Sequence, residues 1–266
     1  MKTIDDVRRF IAAETRRLDP NSRYIAELLA IVDRSADAAD LEARLDRGSR
    51  GAYWAGDATF GAMSLEEKIR ANLVTNETCL MRFDEPELAY LRETVLPDLK
   101  TRNGARILSL PCSHGEEAVS LAIECLEAGL DEFIVHGKDV QPSCIEAAKR
   151  GRFPFQGLPK YVTCEVSPAV MSRLSFSVAD VFAGADAIGS DYDLIVCRNF
   201  LGYFAPQVIA EIGRKLANAL RFDADAYLLV DPFVLRKHPE AFSDLPLQRV
   251  RDERVRGLPF FTTDLD

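Results

Sequence analysis

Several signatures are missing from this chain, and each absence removes a class of function. No apolar run approaches the ~18 residues of a membrane-spanning helix, so no membrane insertion is expected. The first residues, MKTIDDVRRF, hold no apolar signal core, which places the protein in the cytoplasm as an expectation. The six cysteines (Cys79, Cys112, Cys125, Cys144, Cys164, Cys197) are scattered, with no C-x-x-C pair and no histidine at ligand spacing. Structural zinc is therefore not expected, and reduced thiols are. Basic residues are in deficit, 33 against 42 acidic, for a net charge of −9. That argues against a general nucleic-acid or anionic-membrane binder. Neither G-x-G-x-x-G nor the P-loop pattern occurs, which disfavours a nicotinamide oxidoreductase and a P-loop nucleotidase.

What is present is organised around Arg106 to Ala122, RILSLPCSHGEEAVSLA. Ile107, Leu108 and Leu110 form the apolar run of a buried parallel strand. Pro111 to Gly115 break the pattern, and Ala118, Val119, Ala122 and Ile123 recur at helical spacing up to Gly129. Gly115 lets backbone approach a ligand, while Glu116 and Glu117 sit where a helix dipole favours a carboxylate. Taken alone, Gly-Glu-Glu is equally a plain helix start. A second strand from Phe133 ends at Asp139, at the distance from the glycine loop where an acid meets ribose hydroxyls. Asp139 could also cap the helix after Pro142.

Strands then recur at Leu174 to Val178 (followed by Asp180 and Val181), Tyr192 to Cys197 (followed by Arg198 to Phe204) and Ala226 to Val230. Helices stand between them, including one from Pro206 through Leu220. Strand-like pieces near Leu247 to Val250 and Pro259 to Thr262 complete the tail. This alternation predicts a doubly wound parallel α/β sheet. Candidate residues fall at successive strand ends, which capping explains less well than any one of them. The first 75 residues read instead as helices. Thr3 with Asp6, and Ser64 with Glu67, form capping boxes, and Gly48 to Gly61 reads as a packed loop. Arg8, Arg9, Arg16 and Arg17 lie to one side of the first helix, either as a solvated face or as a local basic patch. The expected domains are 1–75, helical, and 76–266, Rossmann-like. Asn76, Thr78 and Arg82, just ahead of the sheet, are either linker or a lid over a ligand.

Three stretches resemble the CheR family of S-adenosylmethionine-dependent protein-glutamate O-methyltransferases of bacterial chemotaxis. TNETCLMR is similar to T-N-x-T-x-F-F-R, SLPCSHGEEAVSLA to S-A-x-S-x-G-E-E-x-Y-S-x-A, and DLIVCRNFLGYF to D-x-I-x-C-R-N-V-x-I-Y-F. The resemblance implies S-adenosylmethionine as cofactor, S-adenosylhomocysteine as product, and methyl transfer to a protein carboxylate on a chemoreceptor or other signalling protein. It implies cofactor contacts from Asn76, Thr78, Arg82, Glu116, Glu117, Asp139, Asp180, Val181, Asn199 and Phe200. Arg82 would lie near the reacting methyl and Tyr203 at the substrate entrance, both catalytic. Asp180-Val181 stand where the family has Asn-Leu, Asp231-Pro232 where it has Gly-His, and Leu80-Met81 where it has two phenylalanines. The segment Gly151 to Ser175 has room for a loop and a short helix, hardly for the family's receptor-docking β-subdomain. A catalytically silent cofactor-binding scaffold of the same fold is the alternative reading, and an oxidoreductase the third.

Overall fold

The computed structural model describes residues 1, 3–47, 63–73, 80–81, 83, 85–154, 163–249 and 260–263. The expected loop at Gly48 to Gly61, together with Asn76, Thr78, Cys79 and Arg82, lies outside the described residues. The chain forms two compact units, Met1–Glu77 with Tyr203–Ala205, and Thr78–Gly202 with Pro206–Asp266.

The first unit is helical. Helix α1, Ile4–Glu14, starts at Thr3, whose side chain accepts from the Asp6 amide while the Asp6 carboxylate accepts from the Thr3 amide. This is the expected capping box, and it satisfies two otherwise orphaned donors. Helices α2 (Arg23–Asp33), α3 (Ala38–Arg47) and α4 (Leu65–Leu73) follow. Val7, Ile11, Leu28, Val32, Leu41, Leu45 and Ile69 are buried at helical spacing. Ser64 and Glu67 cap α4 reciprocally, and Arg70 grips Glu14 of α1 with two nitrogens at 3.0 and 3.1 Å. Two members of the arginine run are committed locally: Arg8 pairs with Asp33 at 2.9 Å and Arg9 with Asp6 at 2.6 Å.

The second unit carries the sheet. It opens with α5 (Glu85–Tyr90), a π-helical turn (Leu91–Val95) and α6 (Leu96–Lys100). Then come β1 (Ala105–Ser109), α7 (Glu116–Glu127), β2 (Phe133–Asp139), α8 (Pro142–Ala148), β3 (Arg152–Pro154) and β4 (Thr163–Glu165). These are followed by α9 (Pro168–Met171), β5 (Leu174–Val178), β6 (Leu194–Cys197), α10 (Pro206–Ala219), β7 (Tyr227–Val230), α11 (Pro232–Lys237), β8 (Gln248–Arg249) and β9 (Phe260–Thr262). Among the described residues the main sheet runs β5-β2-β1-β6-β7-β9-β8. Strands β5, β2, β1, β6 and β7 are parallel, as expected from the alternation with helices. The two tail strands, whose direction the sequence reading left open, are antiparallel, β9 against β7 and β8 against β9, so the sheet is mixed.

Every residue of β6 and β7 is buried, as strands covered on both faces must be. Ile107, Val119, Leu121, Val135, Leu194, Val196, Leu229 and Phe260 share one core. In the segment read as loop plus short helix, the helix is α9. Beside it β3 and β4 pair into a two-stranded antiparallel ribbon, which three-residue strands without clear alternation did not signal. No helix of the described residues is long and apolar enough to cross a membrane.

Candidate functional site

The site is built at the carboxyl ends of the parallel strands. After β1 the chain continues the ladder on both sides, the Leu110 amide donating to Val196 and the Cys112 amide to Lys138. It then turns through Ser113 (φ 49°) and Gly115 (φ 98°), both left-handed, into α7. A Cβ on Gly115 would stand 2.8 Å from Cβ of Ala148 and 3.0 Å from the Phe176 ring. The loop is thus pressed onto α8 and β5, and only glycine fits. Gly137 of β2 is similarly constrained, because a Cβ there would meet the Phe176 ring at 2.6 Å.

Asp139, closing β2, is buried. Its Oδ2 accepts from the Ser113 amide and its Oδ1 from the Gln141 amide, each at 2.9 Å. Burial pushes its carboxyl up to about 6, against the pull of those amides. With the Val140 amide also turned to it, the carboxylate takes three backbone N–H groups against about four lone-pair sites, which leaves acceptor capacity for a ligand hydroxyl. Asp139 does not cap α8, whose start at Gln141 has no side-chain cap; its carboxylate ties the loop to β2 and keeps acceptor capacity.

Glu117, in the first turn of α7, is held by Ser109, whose hydroxyl donates to Oε1 at 2.8 Å. Burial pushes it up to about 7. Arg198 and Ser109 oppose the rise, and Asp231 and Glu87 add to it. Glu116 is buried beside it. Arg198, at the end of β6, places Nη1 3.9 Å from Glu117 and Nη2 3.0 Å from Glu87 of α5. Its guanidinium stands 5.2 Å from the centre of the Phe83 ring.

The next residue, Asn199, is left-handed (φ 55°). Its amide donates to Oδ1 of Asp231 at 2.7 Å, and the Phe200 amide to Oδ2 at 3.2 Å. A carboxylate at the end of β7 thereby fixes the turn that presents both side chains. Asp180 is exposed and accepts from the Phe182 amide at 2.8 Å, while Val181 is buried and its carbonyl takes the Lys215 ammonium at 2.9 Å.

The second unit therefore brings Glu116, Glu117, Asp139, Asp180, Val181, Asn199 and Phe200 to one edge of the sheet. Tyr203 belongs to the first unit, where its ring packs on Tyr24 at 5.9 Å and its carbonyl accepts from the Asp19 amide at 2.7 Å. Asn76, Thr78 and Arg82 lie outside the described residues. Sequence reasoning missed Glu87, and also the role of Asp231, which appeared only as a departure from a family pattern. Among the described residues no group of His, Cys, Asp and Glu could hold a metal ion.

Comparison with known proteins agrees with this geometry. Residues 76–249 match the family described as CheR methyltransferase, SAM binding domain, which is well over half of the chain. The chain is 32% identical over 174 residues to the probable biofilm formation methyltransferase WspC of Pseudomonas aeruginosa, covering 59% of this chain and 41% of that protein. It is 28% identical over 185 residues to chemotaxis protein methyltransferase 1 of the same organism, covering 59% of this chain and 66% of that one. The matches thus span less than two thirds of either relative. A SAM-dependent O-methyltransferase structure from Thermotoga maritima aligns with 66% of this chain and 55% of its own at 16% identity and a TM-score of 0.42. The family match, running from the residues ahead of α5 to the last strand of the sheet, carries the assignment: the chain belongs to the CheR methyltransferase family.

Proposed function

We propose that this protein is a cytoplasmic S-adenosylmethionine-dependent O-methyltransferase that methylates a glutamate carboxylate on a signalling protein, with a chemoreceptor as one candidate acceptor. The observation that supports this most directly is the pairing of a glycine-only loop with a buried Asp139 at the ends of β1 and β2, inside the segment that matches the family. The donor set fits a nucleoside with a cationic amino-acid tail. Asp139 retains acceptor capacity for ribose hydroxyls, and Glu117 offers a carboxylate to an ammonium. Val181 and Phe200 supply apolar surface for the adenine, flanked by Asp180 and Asn199. Glu116 stands beside Glu117, and Asn76, Thr78 and Arg82 are assigned to the cofactor on the motif TNETCLMR alone.

When held by these residues, S-adenosylmethionine would supply a sulfonium methyl for an acceptor carboxylate oxygen, with S-adenosylhomocysteine, a thioether, as the product. A carboxylate is already the nucleophile, so no general base is needed and positioning dominates. Arg82 would hold the acceptor carboxylate bidentately, and Tyr203 would hydrogen-bond it. In this reading residues 76–266 bind cofactor and residues 1–75 select the acceptor, with Arg8, Arg9, Arg16 and Arg17 facing an acidic partner. The ribbon of β3 and β4 takes the place of a larger receptor-docking subdomain.

The test combines titration with S-adenosylhomocysteine and NAD, and transfer of labelled methyl from S-adenosylmethionine to lysate proteins followed by mapping. Expected are binding of S-adenosylhomocysteine, none of NAD, and a base-labile methyl on glutamate. Binding without transfer to any protein would favour the silent scaffold.

A further inference from the structure

Arg198, Glu87, Phe83 and Glu117 form a buried cluster. The side chains of Arg198, Glu87 and Glu117 are 8%, 1% and 16% exposed. A guanidinium beside a single carboxylate closes on it with two parallel hydrogen bonds. Here it does not close on Glu117. Nη2 is ion-paired with Oε2 of Glu87 at 3.0 Å, without hydrogen-bond geometry, and Nη1 lies 3.9 Å from Oε2 of Glu117, beyond hydrogen-bond reach. The Phe83 ring lies against the guanidinium and restrains its plane. Ser109 meanwhile pins the other oxygen of Glu117 at 2.8 Å. Arg198 is near enough to stabilise the charge on Glu117 but is anchored so that it cannot consume it.

We propose that Glu87 is a positioning residue: by anchoring Arg198 on its far side, it keeps the Glu117 carboxylate open to the cationic amino end of the cofactor. The inference rests on the reading above that Glu117 faces that end. Without the anchor, Arg198 swings the remaining distance and pairs with Glu117, and the cofactor's ammonium must compete with an internal cation. Phe83 and Glu87, four residues apart at the entry to α5, thus act on a site they do not touch, through the arginine that ends β6.

The experiment measures S-adenosylhomocysteine affinity by titration on the full chain, for wild type, Glu117→Gln, Glu87→Gln and the double variant, with folding checked by thermal unfolding. Glu117→Gln and Glu87→Gln are each expected to raise the dissociation constant about tenfold or more, the usual scale for a charged hydrogen bond. The double variant is expected to lose little beyond Glu117→Gln, because both act through one carboxylate. The groups facing Glu117 are Arg198, Ser109, Asp231 and Glu87. Removing the negative charge of Glu87 and bringing Arg198 closer both favour the ionised carboxylate, so the midpoint of the affinity–pH profile should move down in Glu87→Gln. Loss of the Glu87 charge alone also lowers the midpoint, so the missing additivity in the double variant is what separates positioning from a through-space effect. Losses that multiply in the double variant, or an unmoved midpoint, overturn the proposal while leaving the Glu117 reading intact. An unchanged affinity in Glu117→Gln overturns both. If Glu87→Gln does not fold, Phe83→Leu loosens the same anchor and should raise the dissociation constant at least threefold; no change there overturns the proposal equally.

Discussion

Replacing Asp139 by alanine separates its structural and ligand-binding duties. The two amides of Ser113 and Gln141 lose their acceptor, at about 1–3 kcal/mol each. Against this, burial lifts the carboxyl from 3.8 to about 6, so keeping it ionised at neutral pH costs the fold roughly 3 kcal/mol. The terms largely offset, leaving a net effect between about 1 kcal/mol stabilising and about 3 kcal/mol destabilising at pH 7. The pH dependence has a definite sign. A raised folded-state pKa means that the folded protein holds a proton the unfolded chain has released. The contribution is therefore fully favourable below pH 3.8 and is lost as pH rises to about 6. In Asp139→Ala this loss disappears, and the change in unfolding free energy between about pH 4 and 7 shrinks by roughly 2 kcal/mol. Binding behaves differently. Without the acceptor for ribose, the dissociation constant of S-adenosylhomocysteine should rise about 5- to 150-fold, equivalent to ~1–3 kcal/mol. Urea unfolding at several pH values and calorimetric titration measure the two effects independently. An unchanged dissociation constant in a folded variant refutes the ribose assignment, and an unchanged pH slope refutes the burial argument.

Other outcomes follow from the motif and from the described core. Arg82→Lys, which loses the planar fork, should cut turnover tenfold or more with a smaller effect on cofactor affinity; full activity would make Arg82 a linker residue. Gly137→Ala should destabilise by about 1–3 kcal/mol in chemical unfolding, since its Cβ would sit 2.6 Å from the Phe176 ring. Asp193 is fully buried, accepts from Arg102 at 2.6 Å and the Arg106 amide at 2.7 Å, and is ion-paired with Arg221 at 3.3 Å. Its replacement by alanine should cost about 3–5 kcal/mol, and a loss under about 1 kcal/mol would show that those arginines do not depend on it.

The parallel half of the sheet was legible because its signal is local. Apolar runs at Ile107, Val135 and Leu194 are followed by glycine or acid at the strand end, and each is one strand-turn-helix unit read from neighbouring residues. The helix starts at Thr3 and Ser64 were legible for the same reason. The direction of β8 and β9 was not, since two- and three-residue strands carry no period and their partner lies elsewhere in the chain. Glu87 and Asp231 escaped for a related reason. Their meaning depends on Arg198 and on the amides of Asn199 and Phe200, and contacts that join α5 and β7 to the end of β6 leave no spacing to read.

Phe176 imposes an order on how this sequence can change. Its ring forms the floor beneath both Gly115 at the start of α7 and Gly137 in β2, the next element of the chain, and it is paired directly with Gly137 across the sheet. A lineage in which position 176 stays aromatic is closed to alanine at 137. One that first accepts a smaller side chain there gains that freedom, and with it a looser loop. The three positions are therefore epistatic, and they should drift as a set or not at all.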